Sequence, residues 1–124
     1  MRYRSGVVQR HPGRRRDRDL RDAGEATFVG SLRLDLLLGD VHSLKQKRSV
    51  VRPIVAELRR RFEVSAAESG HLDLHRRCEV GVAVVAPDAA HVREVLDACE
   101  ALVAARPEVE LLSAHQRLWD DEDA

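Results

Sequence analysis

The sequence predicts one α+β domain whose elements follow one another as strand, helix, strand, strand, helix, strand. Apolar and polar residues alternate over 28–38, apolar residues recur at helical spacing over 44–62, and a nearly continuous apolar run ends at residue 86, before a second helical pattern. Two right-handed β-α-β crossovers interleave most simply as a four-stranded antiparallel sheet with both helices on one face. The predicted fold is therefore a ferredoxin-like plait (βαββαβ), with strand order 4-1-3-2.

The first helix has the clearest start signal. Ser43 and Gln46 form a capping box, in which the serine hydroxyl accepts from the Gln46 amide and the glutamine side chain returns to the cap amide. Pro53 opposes a regular helix interior, because it lacks an amide hydrogen and its ring crowds the carbonyl of Ser49. We expect a kink there, or a helix in two pieces. The apolar face is formed by Leu44, Val51, Ile54, Val55, Leu58 and Phe62.

The other elements are bounded by turn residues. Asp88 is a good N-cap for the second helix, which Pro107 ends. Val92, Leu96 and Cys99 mark its apolar face. The predicted strands span residues 28–38, 64–69, 77–86 and 109–118.

Charge divides the chain into three parts. The 124 residues carry 21 basic and 21 acidic side chains, and this balance argues against a general nucleic-acid binder. Residues 1–27 are rich in arginine and lack apolar periodicity, which predicts a disordered extension. Its composition favours a segment with no role over a basic arm that touches RNA. Residues 28–119 form the domain, and residues 120–124 form an acidic tail.

Cysteine and hydropathy patterns indicate the compartment. Cys78 and Cys99 lie in separate apolar segments without a C-x-x-C pair, so buried reduced thiols are expected. No apolar run has the length of a membrane span, and the N-terminus lacks the apolar region of a secretory signal. The prediction is a cytoplasmic protein that does not contact a membrane.

Three blocks, VHSLKQKRSV, FEVSAAESGHLDLHRR and CEVGVAVVA, resemble the YlxP-like family, a bacterial domain of unknown function. The resemblance runs over residues 28–119, and the Ser-Leu-Lys-x-Lys-Arg block is its most specific part. It implies a small ferredoxin-like protein. Genes of this family often lie among those for transcription termination, translation initiation and ribosome maturation, which implies a role near RNA or the ribosome. Departures are His75-Arg76, where members often carry Trp-Gln, Pro53, and the extra residues 1–27.

A row of basic residues beside the apolar face of the first helix is the candidate binding site. Four of them fall within roughly a 60° arc at about 100° per residue, and Lys47 lies nearby. The free amides and the dipole of a helix N-terminus also favour anions. The other interpretation is a solvated face whose long side chains shield the edge of the core. The candidate RNA- or anion-binding residues are Lys45, Lys47, Arg48, Arg52 and Arg59.

The exposed sheet face offers a second interpretation. RNA-recognition motifs stack bases on aromatic residues in strands one and three. Here these positions hold Ser31, Arg33, Asp35, Glu79, Gly81, Ala83 and Val85, none of them aromatic. A face of small and apolar side chains would instead pair with another subunit and give a homodimer.

The sequence contains few residue sets that could form a catalytic site or bind a metal ion. His71, Asp73 and His75 have the residue types of a metal site, but Gly70 indicates an irregular loop, and we expect no metal or cofactor. No nucleophile, base and orienting group form a recognisable set, and Glu68 has no evident partner.

The sequence therefore predicts a non-enzymatic protein that contacts ribosomal RNA or a ribosome-associated factor through its first helix. The alternative is a homodimeric structural or regulatory module that associates through its sheet face.

Overall fold

A computed structural model describes residues 27–120 of the chain. The elements are β1 (Phe28–Leu38), α1 (Leu44–Arg61), β2 (Ser65–Gly70), β3 (Arg77–Ala86), α2 (Ala89–Ala104) and β4 (Val109–Asp120). The predicted 1–27 extension lies outside the described residues, apart from Thr27, and so do residues 121–124. No helix among residues 27–120 is long and apolar enough to cross a membrane.

The four strands form one antiparallel sheet in the order β2-β3-β1-β4, which confirms the predicted ferredoxin-like plait and its strand order. β1 lies centrally between β3 and β4, so its inward side chains are covered from all sides. A bulge in the β1–β4 pairing places Leu36 opposite Leu111 and Asp35 opposite Ser113, which leaves one extra residue, Leu112, in β4.

The core lies between the sheet and the two helices. The inward leucines of β1 and the inward residues of β3 are buried, as the alternating pattern of β1 predicts. α1 contributes Val51, Ile54 and Leu58, and α2 contributes four residues of its apolar face, Val92, Leu96, Cys99 and Val103. Both helices therefore cover the same side of the sheet, and the opposite side faces outward.

α1 runs as a single helix across Pro53, so the alternative of a helix in two pieces is wrong, and the kink stays a prediction. Pro53 and Ser49 are both exposed, and water can solvate the Ser49 carbonyl that loses its helical donor. The capping box differs in one bond. Ser43 Oγ accepts from the Gln46 amide at 3.1 Å, but Gln46 Oε1 accepts from the amide of His42 at 2.6 Å rather than from that of Ser43.

The bounds of two strands differ slightly from the prediction. β2 covers residues 65–70 rather than 64–69, and β4 extends two residues beyond the predicted end. The last residue of β4, Asp120, stands opposite Phe28. The first residue of the predicted acidic tail is therefore part of the sheet.

Candidate functional site

Three of the five predicted basic residues form an exposed row on α1. Lys45, Arg48 and Arg52 are all exposed, and none of them is paired with an acid among residues 27–120. The only acid in α1, Glu57, pairs with Arg60 and Arg61 of the same helix and with Arg106, whose Nη1 lies 2.8 Å from its Oε1. Positive charge on this side of α1 is therefore not neutralised. We call Lys45, Arg48 and Arg52 the α1 basic surface.

Arg59 has a different role at the edge of the sheet. Its Nε and Nη2 donate to the carbonyl oxygen of Ala66 at 3.0 and 2.6 Å. Ala66 lies in β2, which is an edge strand, so the guanidinium occupies an acceptor that another strand would otherwise use. Arg59 therefore protects the β2 edge, and we do not count it in the α1 basic surface.

Lys47 does not belong to the exposed row, which corrects its predicted place. Its side chain is 2% exposed, and its Nζ donates to the carbonyl oxygen of His71 at 2.7 Å. The same Nζ lies 2.8 Å from Oε2 of Glu68, so the acid that had no evident partner in the sequence is paired. A buried ammonium in these contacts cannot reach a phosphate group. Lys47 and Glu68 tie α1 to β2.

The helical spacing carried a signal for this burial. Lys47 stands four residues before Val51, seven before Ile54 and eleven before Leu58, which is the spacing of the buried face. Leu44 was predicted on that face but is 36% exposed. Because lysine is polar, a face defined from apolar residues alone does not include position 47. The lysine takes the core position at the start of the helix.

The loop between β2 and β3 is held at several points. His71 has a φ of 57°, which is uncommon for a residue with a Cβ, and its carbonyl accepts from Lys47. Its Nε2 lies 3.4 Å from Oδ1 of Asp35, whose Oδ2 lies 2.6 Å from Nη2 of Arg77. Within residues 27–120, no three His, Cys, Asp or Glu side chains converge where a metal ion could bind.

Neither cysteine has the environment of a nucleophile. The pKa of the Cys78 thiol is raised from its ordinary value of 9.0 to about 12, and burial is the largest cause. The negative charge of Glu68 and a hydrogen bond to it contribute to this increase, and the charge of Lys47 opposes it. Burial alone raises the pKa of Cys99 to about 11. Both thiols stay protonated near neutral pH, which makes them poor nucleophiles.

The raised pKa values of the two thiols predict that the folded state loses stability at alkaline pH. A thiol with a higher pKa in the folded state contributes fully below about pH 9, where both states are protonated. As pH rises towards 12, the unfolded chain ionises first and the contribution is lost. The free energy of unfolding from urea titrations should fall over this range. The fall should be shallower in Cys78→Ala, and an unchanged slope in that variant would contradict a strongly raised pKa.

The outer face of the sheet carries paired charges and an exposed valine. Arg77 pairs with Asp35, and Arg33 Nε lies 3.9 Å from Oε2 of Glu79. Val85 is 66% exposed. None of the outward positions on β1 and β3 is aromatic, as the sequence indicated.

An aromatic side chain joins this face from β4, outside the two strands whose aromatic positions the sequence analysis considered. Trp119 stands opposite Val29 in the β1–β4 pairing, and the Arg117 guanidinium lies 4.9 Å from the centre of its ring. The alternation of side chains along β4 would place Trp119 on the outer face, but only once the position of the bulge is known. The cation occupies one side of the ring, so the face still lacks a free aromatic platform in its centre.

Comparison with known proteins gives a family and a relative. Residues 29–116 match the model of a family described as protein of unknown function DUF503. The chain is also 29% identical over 83 residues to the uncharacterized protein YlxP of Bacillus subtilis (strain 168). That alignment covers 67% of this chain and 90% of the relative. The family match contains the α1 basic surface and the Lys47–Glu68 pair.

Proposed function

The chain belongs to the DUF503 family, which is described as protein of unknown function. We propose that it is a non-enzymatic binding protein that contacts the phosphate backbone of RNA through the α1 basic surface. The observation that carries the proposal is that Lys45, Arg48 and Arg52 are exposed together without an acidic partner among residues 27–120. Unpaired surface cations in a row attract polyanions and release their bound counterions.

The shape of the surface favours an extended polyanion over a small anion. Lys45 and Arg52 are seven residues apart, which is about 10 Å along a helix that rises 1.5 Å per residue. The three charges therefore lie in a row and do not converge on one point. The α1 basic surface contains no aromatic side chain on which a base could stack, so it would contact phosphates and not read sequence.

The proposed RNA is ribosomal. The gene placement implied by the family resemblance, among factors of translation and ribosome maturation, supports this choice over other cellular RNA. The absence of a reactive thiol at Cys78 or Cys99 supports a binding role over a thiol-dependent enzyme.

Co-sedimentation of the full chain with ribosomal subunits tests the proposal. Arg48→Glu should weaken association by about tenfold, because it removes a phosphate contact and adds repulsion. Arg93→Glu is the matched control, since Arg93 is an exposed helical arginine on α2 and the change in net charge is the same. Equal effects of the two variants, or no effect of Arg48→Glu, would reject the proposed surface.

A second candidate function is self-association through the outer face of the sheet. It is favoured by Val85, which is 66% exposed on this face and stands opposite Val29, while the charges further along the face already pair with one another. A second copy would bury this apolar side chain. Val85→Lys should then shift the sedimentation equilibrium of the full chain towards monomer. An unchanged equilibrium would exclude this face as the interface.

A further inference from the structure

The two edges of the sheet differ in protection. The β2 edge is six residues long, and Arg59 donates twice to the carbonyl of Ala66 there. The β4 edge is twelve residues long and contains neither lysine nor proline, and its protection is limited to the bulge at Leu112 and the charges of Glu110 and Arg117. Within residues 27–120, no strand pairs with its outer side. Over residues 109–119, β4 therefore presents a long edge that no described strand covers.

β4 also leaves apolar surface uncovered. Its inward residues are only half-buried, whereas the inward leucines of β1 are fully buried. Leu112, the extra residue at the bulge, is 43% exposed. The half-buried inward residues are Val109, Leu111, Ala114 and Leu118. A neighbour along this edge would complete the core on that side.

The charges of β4 are arranged to match a second copy of the strand. Glu110 and Arg117 stand opposite Leu37 and Ser31 of β1, so they lie on the same outer face of the sheet. They are seven residues apart in sequence, but the bulge reduces this to six paired positions, with Ala114 at the midpoint. Neither side chain has an ion-pair partner among the described residues.

We propose that β4 pairs antiparallel with β4 of a second copy of this chain, about a two-fold axis at Ala114. In this register Glu110 of each copy faces Arg117 of the other, and Val109 faces Leu118 on the inner side. The contact is isologous, so both ion pairs form at once. Four strands from each copy join into one continuous sheet.

This interface is independent of the proposed RNA contact. α1 packs beside β2, at the opposite edge of the sheet from β4. Pairing through β4 leaves the α1 basic surface of both copies exposed. A failure of RNA binding would therefore not affect the proposed dimer, and the reverse also holds.

Sedimentation equilibrium of the full chain and its charge-reversed variants tests the proposal. Glu110→Arg and Arg117→Glu should each weaken dimerisation by about tenfold, because symmetry converts both ion pairs into repulsive pairs. The double variant Glu110→Arg/Arg117→Glu should restore dimerisation, since each pair forms again with reversed polarity. A monomeric wild-type chain at all concentrations, or a double variant as weak as the single ones, would overturn the proposal.

Oxidative cross-linking gives a second measurement that does not depend on charge. Ala114→Cys places a thiol at the proposed axis and should yield a disulfide-linked dimer, while the buried Cys78 and Cys99 stay reduced. Ala83→Cys, on the outer face of β3, is the control and should remain monomeric on a denaturing gel. Cross-linking through residue 83 but not through residue 114 would assign the contact to the sheet face and overturn pairing through β4.

Discussion

Replacement of Lys47 by alanine should lower the free energy of unfolding by about 3 kcal/mol, because the substitution leaves Glu68 charged, largely buried and unpaired. It also removes the donor to the His71 carbonyl, in a loop whose φ of 57° needs support from its surroundings. Lys45→Ala is the matched control. This lysine lies two residues before Lys47, is exposed, and should change stability by no more than about 0.5 kcal/mol.

Urea unfolding of both variants separates burial from surface charge. Lys47→Met/Glu68→Leu should recover much of the lost stability, since a buried ion pair and a well-packed apolar pair of similar volume differ little in stability. Equal stability of Lys47→Ala and Lys45→Ala would mean that the Lys47 ammonium is solvated and that the Glu68 contact is not buried.

Gly30→Ala should also destabilise the fold, by about 1–3 kcal/mol, through overpacking. α2 crosses β1 so closely at this glycine that an added Cβ would overlap Val92 Cγ1 and approach Leu96 Cδ1 to 2.9 Å. Both neighbours are fully buried in the core, where close packing resists their displacement. The better strand propensity of alanine offsets only part of this effect.

Gly39→Ala provides the comparison for Gly30→Ala. A Cβ at Gly39 would meet nothing closer than the carbonyl oxygen of Glu108 at 3.9 Å, and its φ is not in the left-handed region. Its thermal midpoint should stay close to that of the wild type. If Gly30→Ala melts at the same temperature as Gly39→Ala, α2 does not approach β1 as closely as described.

The fold was predictable because local signals agree with one another. The alternation of β1, the caps at Ser43 and Asp88, and the apolar run of β3 each specify an element from nearby residues. Strand order then follows from the handedness of the crossovers. The capping box was nearly right, since its serine bond forms as predicted and only the acceptor bond of Gln46 moves to His42.

The contacts that define the site depend on register, which local patterns do not contain. Lys47 and Glu68 are far apart in sequence and meet only because β2 lies beneath α1. The spacing of Lys47 from Val51 would have indicated burial, but no local feature names its partner. The bulge that aligns Glu110 with Arg117 is likewise visible only in the pairing of β1 with β4.

RNA binding through the α1 basic surface is tested most directly by the salt dependence of affinity, measured with the full chain and with a variant in which Lys45, Arg48 and Arg52 are all alanine. All three side chains are exposed, so the variant should fold as the wild type does. Each lost phosphate contact reduces the slope of log affinity against log salt by about 0.7–0.9. The proposal predicts a slope smaller by about two units and weaker binding to every RNA sequence tested. Wild-type affinity and an unchanged slope in the triple variant would contradict it.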